Sequence, residues 1–345
     1  MAIGVAILGA GLYATEEHVP AVEKCSLLSL KAVYSRSQSS AEKLGKDQNV
    51  DAYFESPAAE ERSLDALLKR DDIHVVTIAL PINSQPDYIR KSLAAGKHVL
   101  SEKPIAKDLV TAKSLMDYYD SLPPSLIWGI AENMRFMNSI LTGVQKVKEL
   151  GGKVVTFHTK LNTFMEDDNK YLNTEWRKVP DYQGGFLLDG GIHFVAGMRS
   201  LLQAAGEKVC ALSAFSALLQ EKMVPVDTLH SVWRLESGNA GTFVCSWSTE
   251  HKSGLELEIV TTKGRVTVTP TNVTVSTKGP DGKSIEVKQE TEADSGVVAE
   301  FDAFARSIQE GKPDARQIPE EGLGDLVLME SMLKSGEEGG ALKTF

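Results

Sequence analysis

The first third of the chain alternates short apolar runs with helical stripes. Ile3, Val5, Ile7 and Leu8 form a run with β-branched members, which predicts a buried strand. Residues 28–34, Tyr53-Phe54, 75–80, 97–100 and 126–131 predict five more strands. Helical stretches over 16–25, 39–45, 63–69, 85–95 and 109–121 lie between them. Strands that alternate with helices predict a parallel sheet, and the run 75–80 reads as a central strand buried on both faces. Pro20 is expected to kink the first helix or end its first segment. Ser63, followed by Asp65, reads as a helix cap.

Pro123-Pro124 breaks the pattern before the last of these strands, and the texture changes after Gly151-Gly152. A helix over 138–150 leads into eight predicted strands: 154–161, 209–218, 228–235, 241–248, 255–261, 265–269, 273–277 and 284–288. Turn signals such as Gly238-Asn239 and Asp281-Gly282 separate many of them, as in a meandering, mostly antiparallel sheet with one face left for solvent or a partner subunit. Helices are expected over 189–202, 297–309 and 320–334, and the glycine-rich tail after Gly336 is expected to be mobile. The fold class is therefore α/β: a Rossmann-like parallel-sheet domain over 1–130, then an α+β domain over 131–345.

Composition narrows the function. The 345 residues carry 37 lysines and arginines against 47 acids, a formal charge of −10, which argues against a nucleic-acid or anionic-membrane partner. No stretch approaches a membrane span. No basic segment precedes an apolar one at the N-terminus, and Cys25, Cys210 and Cys245 are scattered, so a cytoplasmic protein with buried thiols is expected. The histidines outside the candidate site (His18, His74, His98, His158, His230 and His251) show no metal-ligand spacing, and no catalytic metal is expected.

The ends of the first-domain strands carry the chemistry. Gly9-Ala10-Gly11, with Leu12-Tyr13-Ala14 opening a helix, has the form of a dinucleotide-binding turn. Gly9 permits the bend, Gly11 lets a pyrophosphate approach, and Ala14 keeps helix and strand close. The second strand ends at Ser35-Arg36-Ser37 with no acid. A guanidinium and two hydroxyls suit the 2′-phosphate of NADP(H), where an acid would repel it; otherwise Arg36 is a solvated strand-end residue. Leu80, Pro81 and Asn83 follow the central strand and are expected beside the cofactor, as are Glu102 and Lys103 after the next and Asn133 after the last. Lys103 reads as an acid/base or substrate-polarising group, or as a lysine paired for structure.

Asp189 and His193 stand four apart on a predicted helix, so they share a face, with Gly190 and Gly191 between them. A carboxylate that orients an imidazole suits proton transfer at a substrate oxygen. Trp176 and Arg177 read either as a pocket wall with an anion-binding guanidinium, for cofactor or substrate, or as a core tryptophan with a surface arginine. Tyr171 is open in the same way.

Gly9-Ala10-Gly11, Glu102-Lys103-Pro104, Glu132-Asn133 and Asp189-Gly190-Gly191-Ile192-His193 stand in one order. This set resembles the Gfo/Idh/MocA oxidoreductases over essentially the whole chain. Asn169-Lys170-Tyr171-Leu172, Trp176-Arg177 and Gly184-Gly185-Phe186-Leu187 are similar to a fungal branch of cytosolic NADP(H)-dependent members. The resemblance implies a Rossmann-like domain with an open-faced α/β domain used for homodimer or homotetramer contacts. It also implies a cis Lys103-Pro104 bond and a catalytic set at Lys103, Asp189 and His193. The segment Met134-Arg135-Phe136-Met137 lacks the usual following proline, so local substrate contacts are expected to depart from the family's. The activity implied is hydride transfer between NADP(H) and a carbonyl or alcohol carbon of a small sugar, polyol or related compound; a non-catalytic NADP(H) sensor is the alternative.

Overall fold

A computed structural model describes residues 2–345. In chain order the elements are β1 (Ile3–Leu8), α1 (Val19–Lys24), β2 (Leu28–Ser35), α2 (Gln38–Gln48), β3 (Asp51–Phe54), α3 (Leu64–Leu68), β4 (Val75–Ile78), α4 (Gln85–Ala94), β5 (His98–Glu102), α5 (Leu109–Asp120) and β6 (Trp128–Ala131). They continue as α6 (Asn138–Leu150), β7 (Val154–Asn162), α7 (Glu175–Lys178), α8 (Gly185–Ala204), β8 (Val209–Ala217), β9 (Thr228–Leu235), β10 (Ala240–Ser246), β11 (Gly254–Thr261), β12 (Gly264–Thr269), β13 (Asn272–Lys278) and β14 (Ser284–Glu290). The last elements are α9 (Val297–Glu310), α10 (Pro319–Glu337) and β15 (Lys343–Thr344).

The chain divides into two compact units, 1–132 with 297–324 and 133–296 with 325–345. The sequence leads to one boundary at 130/131, whereas the structure returns 297–324 to the first unit. The cause is the apolar stripe of α9. Val297, Phe301, Phe304 and Ala305 are buried in one cluster with Val5, Ile7, Ala21, Val22 and Leu100. Gly129 of β6 lies so close to the Phe304 ring that a Cβ there would stand 2.9 Å from it.

Among the described residues the first unit holds a parallel sheet in the order β3-β2-β1-β4-β5-β6. Strand order reverses between β1 and β4, and in such sheets the crevice outside the carboxyl ends at that reversal receives ligands. Helix starts follow the side-chain chemistry: the Ser63 hydroxyl accepts from the Ala66 amide at 3.2 Å and the Asp108 carboxylate from the Thr111 amide at 2.7 Å. Pro20 neither breaks nor ends the first helix. The helix runs through a widened turn, Ala14–His18, directly into α1, and Pro20 is the second residue after that turn.

The second unit holds a sheet in the order β14-β13-β12-β11-β7-β10-β9-β8-β15. Neighbours are antiparallel except β7 and β10, which are parallel. β9 alternates strictly: Leu229, Ser231, Trp233 and Leu235 are buried, while His230, Val232 and Arg234 are exposed. α6 and α8 cover the buried face; Cβ atoms on Gly143 and Gly197 would meet Val268 and Leu257. The tail expected to be mobile instead pairs β15 with β8, and the Phe345 amide donates to the Cys210 carbonyl at 3.0 Å.

Candidate active site

In the first unit the expected cofactor residues gather at the carboxyl edge of the sheet. Gly9 follows β1 and donates its amide to the Tyr34 carbonyl at 2.8 Å. Its φ is +127°, and a Cβ there would stand 2.3 Å from the Ala79 carbonyl oxygen, so the turn requires glycine. Gly11 faces open space: nothing lies within 4 Å of where its Cβ would be. That opening, before a helix whose first amides have no intrahelical acceptor, fits a pyrophosphate. Ala14, at the third fingerprint position, is buried, while Leu12 is 40% exposed. The Tyr13 phenol is held protonated by burial, and next by the charge of Glu102.

Ser35 ends β2, and its hydroxyl accepts from the Ser37 amide at 3.2 Å. The Ser37 hydroxyl accepts from the Ser40 amide at 3.4 Å and so caps α2. Arg36 is exposed, and among the described residues its guanidinium has no hydrogen bond or ion pair. Tyr34 turns its hydroxyl away to donate to Glu55 at 2.7 Å. Leu80, Pro81 and Asn83 lie in the bend between β4 and α4, where the Pro81 carbonyl accepts from the Ser84 amide at 2.8 Å. Glu102 ends β5, and the Lys103-Pro104 bond that follows is cis.

The second unit gathers another set. Asp189 is 4% exposed on α8, and its carboxylate accepts from Arg177 Nε at 2.7 Å. The Arg177 guanidinium carbon stands 4.1 Å from the Trp176 ring centroid and 5.8 Å from that of Tyr171. Trp176 and Arg177, which carry no regular signal in the sequence, form the short helix α7. His193 follows Asp189 by one turn and is half-buried. The Asn133 side chain donates to the Ser295 carbonyl at 2.6 Å. Gly190 and Gly191 answer to packing: Cβ atoms there would stand 2.9 Å from the Trp247 ring and 3.0 Å from the Met329 methyl.

Tyr182 is a member the sequence reading missed. Its ring centroid lies 5.9 Å from that of Trp176, and its buried hydroxyl has no hydrogen-bond partner among the described residues. Burial, then the charge of Asp189, keeps that phenol protonated, while Arg177 opposes them. Its position just before Gly184-Gly185 was the available signal, but a lone tyrosine in a loop has no periodicity to mark it.

Three of the other histidines make structural contacts. His74 Nδ1 accepts from the Gly4 amide at 3.2 Å and His98 Nδ1 from the Ile127 amide at 3.1 Å, and burial lowers the His98 pKa. His158 Nδ1 lies 2.9 Å from Thr242 Oγ1. Among the described residues no group of three or more histidines, cysteines or acids could hold a metal ion, and no helix is long and apolar enough to cross a membrane.

Two family profiles match the chain: an oxidoreductase family with an NAD-binding Rossmann fold over residues 3–125, and the C-terminal alpha/beta domain of the same family over 148–344. Fold and profiles together define a two-domain nicotinamide-dependent oxidoreductase. The chain belongs to the Gfo/Idh/MocA family. It is 46% identical over 343 residues to Dehydrogenase FPY6 of Fusarium mangiferae, covering 99% of this chain and 98% of that protein. It is 23% identical over 344 residues to D-xylose 1-dehydrogenase (NADP(+)) 2 of Haloferax volcanii, covering 98% of each. The crystal structure of an oxidoreductase from Thermotoga maritima matches with a TM-score of 0.87 at 29% identity, covering 100% of this chain and 98% of that one.

Proposed function

We propose that this protein is an NADP(H)-dependent oxidoreductase. It transfers hydride between the nicotinamide and a carbonyl or alcohol carbon of a small polar substrate, a sugar, polyol or related carbonyl compound. The observation that carries the cofactor choice is Arg36, an exposed guanidinium without a partner at a strand end that has no acid. Ser35 and Ser37 flank it with hydroxyls, so a 2′-phosphate meets donors and no repelling carboxylate. The Haloferax volcanii relative, whose name carries both NADP(+) and D-xylose, supports both halves of the reading.

When bound, the nicotinamide gives or takes the hydride. The chain's own residues bind and move the proton. Gly9 and Gly11 admit the pyrophosphate to the backbone, and Arg36 takes the ribose 2′-phosphate. Lys103 and His193 handle the proton at the substrate oxygen, and Asp189, held as an anion by Arg177, orients the imidazole. Calorimetric titration should show NADPH binding at least about tenfold tighter than NADH, about 1.4 kcal/mol, with Arg36→Ala erasing the gap. An NADH preference would overturn the strand-end argument, and binding of neither would overturn the enzyme reading.

The same reading extends to assembly. The outer face of the second unit's sheet exposes Phe215 (63%) and Val232 (53%) beside polar neighbours, which supports a second copy as its cover. Light scattering should then report a dimer or tetramer, and a monomer at micromolar concentration would count against it.

A further inference from the structure

His18, grouped by its sequence with the structural histidines, holds a different place. It is fully buried and ends the widened turn Ala14–His18, a rare geometry that shifts the side chains after it relative to a regular helix. Both of its ring nitrogens are engaged. Nε2 stands 2.8 Å from Glu102 Oε1, and Nδ1 stands 3.3 Å from Thr77 Oγ1. The Tyr13 and Phe301 rings wall the imidazole edge-on, with centroids 5.6 Å and 5.0 Å away. These neighbours leave the imidazole one orientation.

Beside the α9 ring of Phe301, three segments join through hydrogen bonds at one side chain. The helix after the glycine turn supplies His18, β4 supplies Thr77, and β5 supplies Glu102. Glu102 is 8% exposed and is the covalent neighbour of Lys103, while Pro104, Ile105 and Ala106 beyond it are buried. A buried charged or polar pair is a weak source of stability, because desolvation offsets the attraction and an apolar pair of the same shape does as well. What this pair supplies is direction: it fixes the strand end on which Lys103 stands.

We propose that His18 is a positioning residue for Lys103, acting through its contact with Glu102; this rests on the reading of Lys103 as a proton-handling group. Two substitutions separate the ring's contacts. The Gln amide nitrogen takes the place of Nε2, so His18→Gln keeps a donor toward Glu102. The Asn amide is shorter and reaches only the Nδ1 position, so His18→Asn keeps a polar group near Thr77 and loses Glu102.

The test has two readouts. The first is steady-state kinetics with NADPH and a panel of aldoses, polyols and small carbonyl compounds. The second is competitive reductive dimethylation of lysines, read peptide by peptide by mass spectrometry, with the exposed Lys43 (78%) as internal reference. His18→Asn should lower kcat about tenfold with NADPH affinity retained. It should also change the Lys103 labelling rate about threefold or more relative to Lys43. His18→Gln should restore both.

An unchanged Lys103 labelling rate in His18→Asn overturns the proposal, as does a changed rate with wild-type kcat. If the wild-type protein turns over nothing in the panel, the oxidoreductase reading fails, and the labelling comparison still decides the positioning. Should His18→Asn not fold, Glu102→Gln replaces it: the shape stays, the charge facing the imidazole goes, and the same change in Lys103 labelling is required.

Discussion

Replacing His193 by alanine is expected to lower turnover by about 10²-fold or more, the scale of help that a positioned general acid or base supplies. Cofactor affinity should change little. His193 stands one helical turn beyond Asp189, the spacing at which side chains on one face of a helix meet. Asp189 is buried and receives the Arg177 guanidinium at 2.7 Å, which favours its anionic form. That spacing lets the carboxylate orient the imidazole for proton transfer at a substrate oxygen. The measurement is kcat and KM for the best carbonyl substrate, beside a Lys103→Met variant. Near-normal turnover in His193→Ala would remove His193 from the chemistry and leave the proton to Lys103.

The largest expected loss of stability lies at a buried ion cluster in the second unit. Asp325 is 2% exposed and accepts from Arg135 Nη2 at 2.6 Å and from Arg199 Nη1 at 2.5 Å. Asp325→Ala removes the buried carboxylate that both guanidinium groups share. Removing one side of such a buried pair costs about 3–5 kcal/mol, most of it the desolvation of the charge left behind. Urea unfolding of the variant against wild type reads this directly. Asp47→Ala, which breaks an exposed pair with Lys43 on α2, should by contrast change stability little. A loss below about 1 kcal/mol for Asp325→Ala would mean that the two arginines find water or other acceptors at little cost.

Regular patterns made much of this legible. The strands of both sheets follow apolar runs or strict alternation, and Thr228–Leu235 is read from its sequence to the residue. Gly9 was legible because a tight turn excludes a side chain there, and its closeness to the Ala79 carbonyl gives the cause. What escaped depends on contacts between distant segments. The stripe of α9 predicts a buried face but does not say which sheet buries it, so one boundary was expected where the chain crosses and returns. Lys343–Thr344 is too short to show alternation. Arg177 was expected at a cofactor or substrate, and its bond to Asp189, twelve residues on, has no spacing rule behind it. His18 reads as a lone helix histidine until Glu102, 84 residues away, stands beside it.

The two edges of the second sheet bear on solubility. An unpaired edge strand offers a row of donors and acceptors to any other extended chain and so invites fibrillar or run-on association. At one edge β14 carries Glu286, Lys288 and Glu290, so an incoming strand must bury charges of both signs. At the other, two residues of β15 occupy the Ala211 and Leu212 positions of β8. Trimming the chain back to Glu338 would bare that edge beside the exposed Phe215. The short tail thus stands where an incoming strand would otherwise pair with Ala211 and Leu212 of β8.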